Sequence, residues 1–198
     1  MKFFLMSIVM VLGWSSFANV KVGDKAPDFS LKGQDGVVHS LKEQEGKYVV
    51  LEWFNDGCPY VKKHYNSKNM QTLQKEIVSK GVAWYSIVSS SEGKQGFLTA
   101  DKAKSLMKDK DMHSTAILLD TDGKVGQSFG ASTTPHMFIV DPKGLIVYQG
   151  AIDDKPSASK QSLKGAKNYV RMAFNNIDAK KPIETASTSP YGCSVKYK

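Results

Sequence analysis

The sequence predicts an α/β fold in which a mixed central β-sheet carries helices on both faces. Apolar runs of strand length alternate with amphipathic segments of helix length along most of the chain. The last two strand-like runs flank a short turn at residues 141–144, which makes them a hairpin. Alternating strands and helices give parallel neighbours, whereas the hairpin adds an antiparallel pair, so a mixed sheet is expected.

Turn and helix-end signals predict the first half of the fold. The Asp-Gly pair at residues 35–36 predicts a small N-terminal hairpin extension, and residues 47–54 read as a buried strand. Pro59 begins the next helix, because proline is favoured at the first helical position. That helix is expected to continue to about residue 79, with Gly81 just beyond its end.

The second half continues the alternation and ends in a tail. Its elements are a strand at 82–88, a helix at 99–110, a strand at 115–119, a short helix at 124–129, a hairpin at 136–148, a polar loop at 153–164 and a last helix at 166–179. Residues 180–198 contain proline and small polar residues, so we expect an extended C-terminal tail.

The N-terminal segment has the pattern of a secretory signal peptide. Lys2 precedes an almost wholly apolar run at residues 3–14, and Ser16 and Ala18 are small residues at the spacing of a cleavage site. The run is shorter than the roughly 20 residues that a membrane-spanning helix needs. We predict a signal peptide at 1–18 and a periplasmic or secreted mature chain with no membrane span; the alternative is an anchor that stays attached.

Charge and cysteine usage narrow the classes of function. The formal net charge is +8, but the lysines are spread along the chain and no nucleic-acid-binding motif accompanies them. We therefore expect a solvated basic surface and no nucleic-acid partner. The chain has two cysteines, which in an exported protein usually means one disulfide, either permanent or transient.

Cys58 is the strongest candidate for a reactive group. It lies between a predicted strand and a helix that begins at Pro59, where backbone N–H groups and the positive end of the helix dipole stabilise a thiolate. Lys62, Lys63 and His64 follow in the helix, so a cationic neighbourhood is expected. The alternative is a buried, inert cysteine. An inert cysteine gives no reason for this loop-to-helix position, so we predict a redox-active thiol.

Two further segments carry a resemblance to a known family. Residues 133–135 (TTP), which precede a late strand, resemble the cis-proline loop of the thioredoxin superfamily. The opening VGDKAPDF at 22–29 is typical of thioredoxin-like redoxins, the group that includes alkyl hydroperoxide reductase/thiol-specific antioxidant proteins and TlpA-like exported thiol reductases. The loop NDGCPYVKKHY at 55–65 and the ending PYGCSVKY at 190–197 are similar to a subgroup of uncharacterised peroxiredoxin-like proteins.

The resemblance spans nearly all of the chain that follows the predicted signal peptide. It implies a thioredoxin-like redoxin domain at 19–179 and a C-terminal tail at 180–198 that carries Cys193. It also implies a redox site in which Thr134 and Pro135 face the reactive cysteine and offer backbone groups to the substrate, beside Pro59. No cofactor is expected.

The sequence also departs from the patterns of its relatives. Glu52 has the spacing of the buried acid of thioredoxins, so the resemblance implies a proton relay; the alternative is a solvent-facing side chain. Val61 occupies the place of the second thioredoxin cysteine, which leaves Cys193 as the only other thiol. Asn55 and Leu51 replace the hydroxyl residue and the proline of peroxiredoxins, so weak peroxidase activity is expected.

Metal binding is not expected. Cys58, His64, His136 and Met137 are soft ligand types. Lys62, however, stands where copper-delivery proteins of this fold have their second cysteine.

Three functions remain open. The first is an exported thiol-disulfide oxidoreductase that uses Cys58 as nucleophile and Cys193 as resolving cysteine, with protein or small-molecule thiols and disulfides as partners. The second is a one-cysteine peroxidase that reduces peroxides with an external thiol. The third is a non-catalytic binding protein in which the two cysteines form a structural disulfide.

Overall fold

The structure is a computed structural model that describes residues 20–198. The predicted signal peptide at 1–18 and its cleavage site lie outside the described residues. Within them, no helix is both long enough and apolar enough to cross a membrane.

The described residues form nine short strands and five α-helices. The strands are β1 (Ser30–Lys32), β2 (Val38–Ser40), β3 (Val49–Trp53), β4 (Ala83–Val88), β5 (Ala116–Leu119), β6 (Thr133–Thr134), β7 (His136–Val140), β8 (Ile146–Gly150) and β9 (Cys193–Ser194). The helices are α1 (Pro59–Tyr65), α2 (Asn69–Val78), α3 (Ala100–Asp109), α4 (Lys124–Ser128) and α5 (Tyr169–Asp178).

The central sheet is mixed, as the sequence predicts. Its strand order is β5-β4-β3-β7-β8, with β3, β4 and β5 parallel and β7 and β8 antiparallel to their neighbours. β3 is buried along its whole length, because both faces of the sheet are covered. The predicted N-terminal hairpin is present as the antiparallel pair β1 and β2.

Side chains that alternate along the strands supply two separate apolar layers. On one face, Val50 and Trp84 pack with buried residues of α1, α2, α3 and α5. On the other face, Leu51 and Tyr85 pack with the N-terminal segment and the residues around α4. The sheet therefore has helices on both faces, and the end of β3 that leads to Cys58 is held from both sides.

The predicted helix at 59–79 is wrong in one respect, because it is two helices. α1 ends at Tyr65 and α2 begins at Asn69, and Lys68 between them adopts a left-handed conformation with φ of 60°. The Ser67 hydroxyl donates to the carbonyl of Lys63 at 2.7 Å. A serine that bonds to a carbonyl of the preceding turn competes with helix continuation, which accounts for the break.

The C-terminal tail is extended but not free. Its backbone pairs with Gln149 at the edge of β8 through residues 186 and 188. Further on, β9 forms a two-residue antiparallel pair with β6, which the sequence did not predict. The Tyr197 hydroxyl then donates to the carbonyl of Ala131 at 2.7 Å. The tail therefore crosses the domain at the C-terminal end of β3, from which the chain leads to Cys58.

Candidate functional site

Cys58 caps the N-terminus of α1. Its backbone is extended, with φ of −76° and ψ of 124°, and Pro59 follows at the start of the helix on the exposed surface. The Cys58 carbonyl accepts from the N–H of Lys62 at 2.9 Å, which closes the first turn. The sulfur therefore lies beside the free N–H groups of that turn, and it is buried.

Asn55 shapes the loop that leads to Cys58. Its side-chain oxygen accepts from the N–H of Gly57 at 2.8 Å, and its amide donates to the carbonyl of Gln95 at 3.3 Å. Gly96 packs so closely that a Cβ atom there would lie 2.4 Å from the Asn55 side chain. The side chain that replaces the peroxiredoxin hydroxyl thus ties the loop together.

The predicted cis-proline loop faces Cys58. The peptide bond between Thr134 and Pro135 is cis, and the Cys58 thiol donates to the Thr134 carbonyl at 3.1 Å. Thr134 is itself buried. This loop and α1 therefore form two walls around the sulfur.

The tail forms the third wall and brings the second cysteine to the first. In the β6–β9 pair, Cys193 lies opposite Thr134. Gly192 has φ of +142°, and a Cβ atom there would lie 2.0 Å from the Thr134 carbonyl oxygen, so only glycine fits. Because the Cys58 thiol bonds to the carbonyl of the same Thr134, the two cysteines are neighbours, and both are free in the structure.

The two thiols have opposite pKa shifts. Burial raises the pKa of Cys58, but hydrogen bonding by the Cys193 thiol, the Val61 N–H and the Thr134 hydroxyl outweighs it, and the pKa falls below its ordinary value of 9.0. Burial and the neighbouring Cys58 raise the pKa of Cys193 to about 11. Cys58 is therefore the thiol that ionises first.

The cationic neighbourhood expected for Cys58 is wrong for two of its three residues. Lys63 is buried against Asp153 and Tyr191, and His64 is buried beside Asn69, whereas Lys62 is exposed. Burial and the charge of Lys63 lower the pKa of His64 to about 3, so this imidazole is neutral near pH 7. The Cys58 thiolate is instead stabilised by hydrogen bonds.

Lys63 and His64 belong to a polar cluster that sequence reasoning missed. The Lys63 ammonium lies 3.6 Å from Oδ2 of Asp153 and donates to the hydroxyl of Tyr191 at 3.0 Å. Tyr191 in turn donates to Oδ1 of Asp153. Nothing in the sequence marks this cluster, because its members come from α1, from the loop after β8 and from the tail.

Glu52 is buried rather than solvent-facing. Its carboxylate accepts hydrogen bonds from four side chains: Tyr65 at 2.9 Å, Trp84 at 2.9 Å, Ser86 at 3.1 Å and Gln74 at 3.2 Å. Burial raises its pKa above the ordinary value of 4.5, although these donors oppose the shift. Cys58 is not among its hydrogen-bond partners, so the relay role implied by the resemblance stays a prediction.

Across residues 20–198, no three His, Cys, Asp or Glu side chains are grouped in a way that could hold a metal ion. His136 is buried in β7, where burial lowers its pKa to about 4.

Comparisons with known proteins agree with this geometry. The sequence profile of the AhpC/TSA family matches residues 22–149. The thioredoxin-like protein YneN of Bacillus subtilis is 26% identical over 171 residues, which cover 80% of this chain and 94% of YneN. The thiol-disulfide oxidoreductase ResA of Bacillus subtilis is 25% identical over 150 residues, which cover 72% of this chain and 78% of ResA.

A solved structure extends the similarity to nearly the whole chain. An uncharacterised conserved protein from Geobacillus kaustophilus superposes with a TM-score of 0.77 at 22% identity, covering 93% of this chain and 94% of that one. Together with the strand order and the cis-proline loop, these similarities confirm the thioredoxin-like fold that the sequence predicts.

The hydrogen bond from Cys193 should be measurable in the titration of Cys58. We expect replacement of Cys193 by alanine to raise the Cys58 pKa relative to replacement by serine, because the serine hydroxyl can still donate to the thiolate. Ultraviolet absorbance of the thiolate, followed against pH in both variants, gives the two values. Equal pKa values in the two variants would contradict this account of the shift.

Burial of Glu52 should make stability depend on pH. Its folded-state pKa is raised, so between about 4.5 and that value the folded state binds more protons than the unfolded state, and stability falls as pH rises. Glu52→Gln removes this slope while keeping the shape of the side chain. We therefore expect the free energy of unfolding of the wild type to decline relative to that of the variant as the pH rises above about 4.5. The free energies come from urea unfolding of both proteins at a series of pH values. The same dependence on pH in the wild type and in Glu52→Gln would contradict a buried Glu52 that ionises.

Proposed function

The chain belongs to the AhpC/TSA family, and from that premise we propose that it is a thiol-disulfide oxidoreductase whose redox couple is Cys58 and Cys193. Family membership makes it a thioredoxin-like redoxin and an oxidoreductase. One observation supports the couple: β9 pairs with the cis-proline loop and so places Cys193 next to the Cys58 thiol.

The first step is attack on a substrate disulfide. The Cys58 thiolate forms a bond to one sulfur of the substrate and releases the other sulfur as a thiolate, which takes up a proton from solvent. The lowered pKa of Cys58 favours this role, because the thiolate is the nucleophile. The Thr134 carbonyl accepts from the Cys58 thiol, Pro135 follows Thr134 across the cis bond, and Pro59 follows Cys58 in the chain. In this proposal these three residues line the substrate site.

The second step is resolution by the tail. Cys193 loses its proton, attacks the sulfur of Cys58 and releases the second substrate thiolate, which is then protonated. The products are a Cys58–Cys193 disulfide and a fully reduced substrate, so two electrons have moved from the protein to the substrate. One cause of the raised pKa of Cys193 is the neighbouring Cys58, and that cause is lost once Cys58 is part of a mixed disulfide. An external dithiol must then reduce the protein again.

The substrates proposed are protein or small-molecule disulfides, met outside the cytoplasm if the predicted signal peptide at 1–18 directs export. ResA, a relative of the chain, is named a thiol-disulfide oxidoreductase, which supports this substrate class. Glu52 accepts from Tyr65 and so fixes the end of α1 on the sheet, and the proton relay to Cys58 that the resemblance implies is kept here as a prediction.

A redox titration tests the couple. After equilibration in glutathione buffers of increasing oxidation and acid quenching, peptide mapping of the wild type should show a reversible Cys58–Cys193 disulfide. We expect the reduction potential of this disulfide to lie above about −300 mV, because the potentials of structural disulfides lie below that value. In Cys193→Ser the same treatment should leave Cys58 as a mixed disulfide with glutathione.

Two other outcomes would assign a different function. A Cys58–Cys193 disulfide with a reduction potential below about −300 mV would favour the structural disulfide of a binding protein. Oxidation of Cys58 by hydrogen peroxide at peroxiredoxin-like rates, with no Cys58–Cys193 peptide, would favour the one-cysteine peroxidase. Asn55 offers an amide in place of the hydroxyl residue, so we expect oxidation by peroxide to be slow.

A further inference from the structure

The buried cluster behind Cys58 joins three parts of the chain that are distant in sequence. Lys63 of α1 donates to the carbonyl of Lys155 at 2.9 Å and to the hydroxyl of Tyr191 at 3.0 Å. Tyr191 donates to Asp153, whose other oxygen, Oδ2, lies 3.6 Å from the Lys63 ammonium. The side chains of Lys63 and Asp153 are 0% and 1% exposed, so water does not replace a lost partner in the closed state.

Tyr191 is the one member of this cluster that the tail contributes. Its ring packs edge-on against Tyr60, and the Lys63 ammonium lies 5.0 Å from the ring centre. Its hydroxyl is also 3.5 Å from Nε2 of His64. When the tail leaves the domain, Asp153 loses a donor and Lys63 loses an acceptor, so departure of the tail is coupled to a buried charged pair.

The position of Tyr191 links this cluster to the redox site. Tyr191 is two residues before Cys193, and extended residues advance the chain by only about 3.3 Å each. Lys63 lies in α1, the helix that Cys58 caps. Docking of one tyrosine therefore fixes the tail on the same helix that presents the nucleophile.

We propose that Tyr191, held by Asp153 and Lys63, is a positioning residue that latches the C-terminal tail over Cys58, so that the latch both presents Cys193 and controls access to the buried sulfur. This inference rests on the proposed function for the role of Cys193. The latch itself is a property of the tail and requires no disulfide.

Hydrogen exchange in a background without the second thiol tests the latch. In Cys193→Ser, we compare Tyr191 with Tyr191→Phe, which keeps the ring against Tyr60 and removes only the hydroxyl. Loss of hydrogen bonds to charged, buried partners should accelerate exchange of the amides at 193–195 by about tenfold or more. Alkylation of Cys58 by iodoacetamide should accelerate by a similar factor, because the same opening exposes the sulfur.

Tyr85→Phe in the same background is the matched control. Tyr85 is a buried tyrosine of β4 in the apolar layer on the other face of the sheet, so loss of its hydroxyl should leave both rates unchanged. Peptides from β3 and β4 should exchange at wild-type rates in both variants, which separates tail opening from general loss of stability.

Unchanged tail exchange in Tyr191→Phe overturns the latch, as does an equal increase in β3 and β4. Faster tail exchange with unchanged alkylation overturns the control of access. Failure of the redox couple is seen separately, as absence of the Cys58–Cys193 peptide in the glutathione titration of the wild type.

Discussion

The two-residue pairing of β6 with β9 is the contact on which the rest of the site depends. It places Cys193 opposite Thr134, whose carbonyl accepts a hydrogen bond from the Cys58 thiol at 3.1 Å. Without it, Cys58 would face the open end of the sheet with no second thiol near it. The pairing is short, so it depends on the close approach of Gly192 to the Thr134 carbonyl and on the anchors at either end of the tail.

The same contact sets the chemistry of the two sulfurs. Burial opposes ionisation of Cys58, and a helix start that lacked the tail would offer it fewer donors. Hydrogen bonding by the Cys193 thiol and the Val61 N–H lowers the pKa of Cys58 and so favours the thiolate. Cys193 is held protonated by the same neighbour, so the two thiols take different roles although both are cysteines in one site.

Local signals in the sequence account for much of the fold and for part of the site. The alternation of elements, the proline at the start of α1 and the cis-proline loop are encoded within short windows, and the structure has them. The break between α1 and α2 was not predicted, because it depends on the hydrogen bond from the Ser67 hydroxyl to the Lys63 carbonyl, which the sequence does not specify. The Lys63–Tyr191 contact could not be predicted, because it joins residues 128 positions apart that show no pattern. Lys63 therefore looked like a charge beside Cys58, whereas burial directs it to Asp153 and the tail.

The central claim is that the tail presents Cys193 to Cys58 within one chain, and a limiting amount of a chromogenic aryl disulfide tests it most directly. Attack by Cys58 releases the first aryl thiolate, and attack by Cys193 on the mixed disulfide releases the second. The account predicts two aryl thiolates per reagent molecule for the wild type, with a second phase that does not depend on protein concentration, and one per reagent molecule for Cys193→Ser. One aryl thiolate per reagent molecule from the wild type, or a second phase that scales with protein concentration, would contradict it.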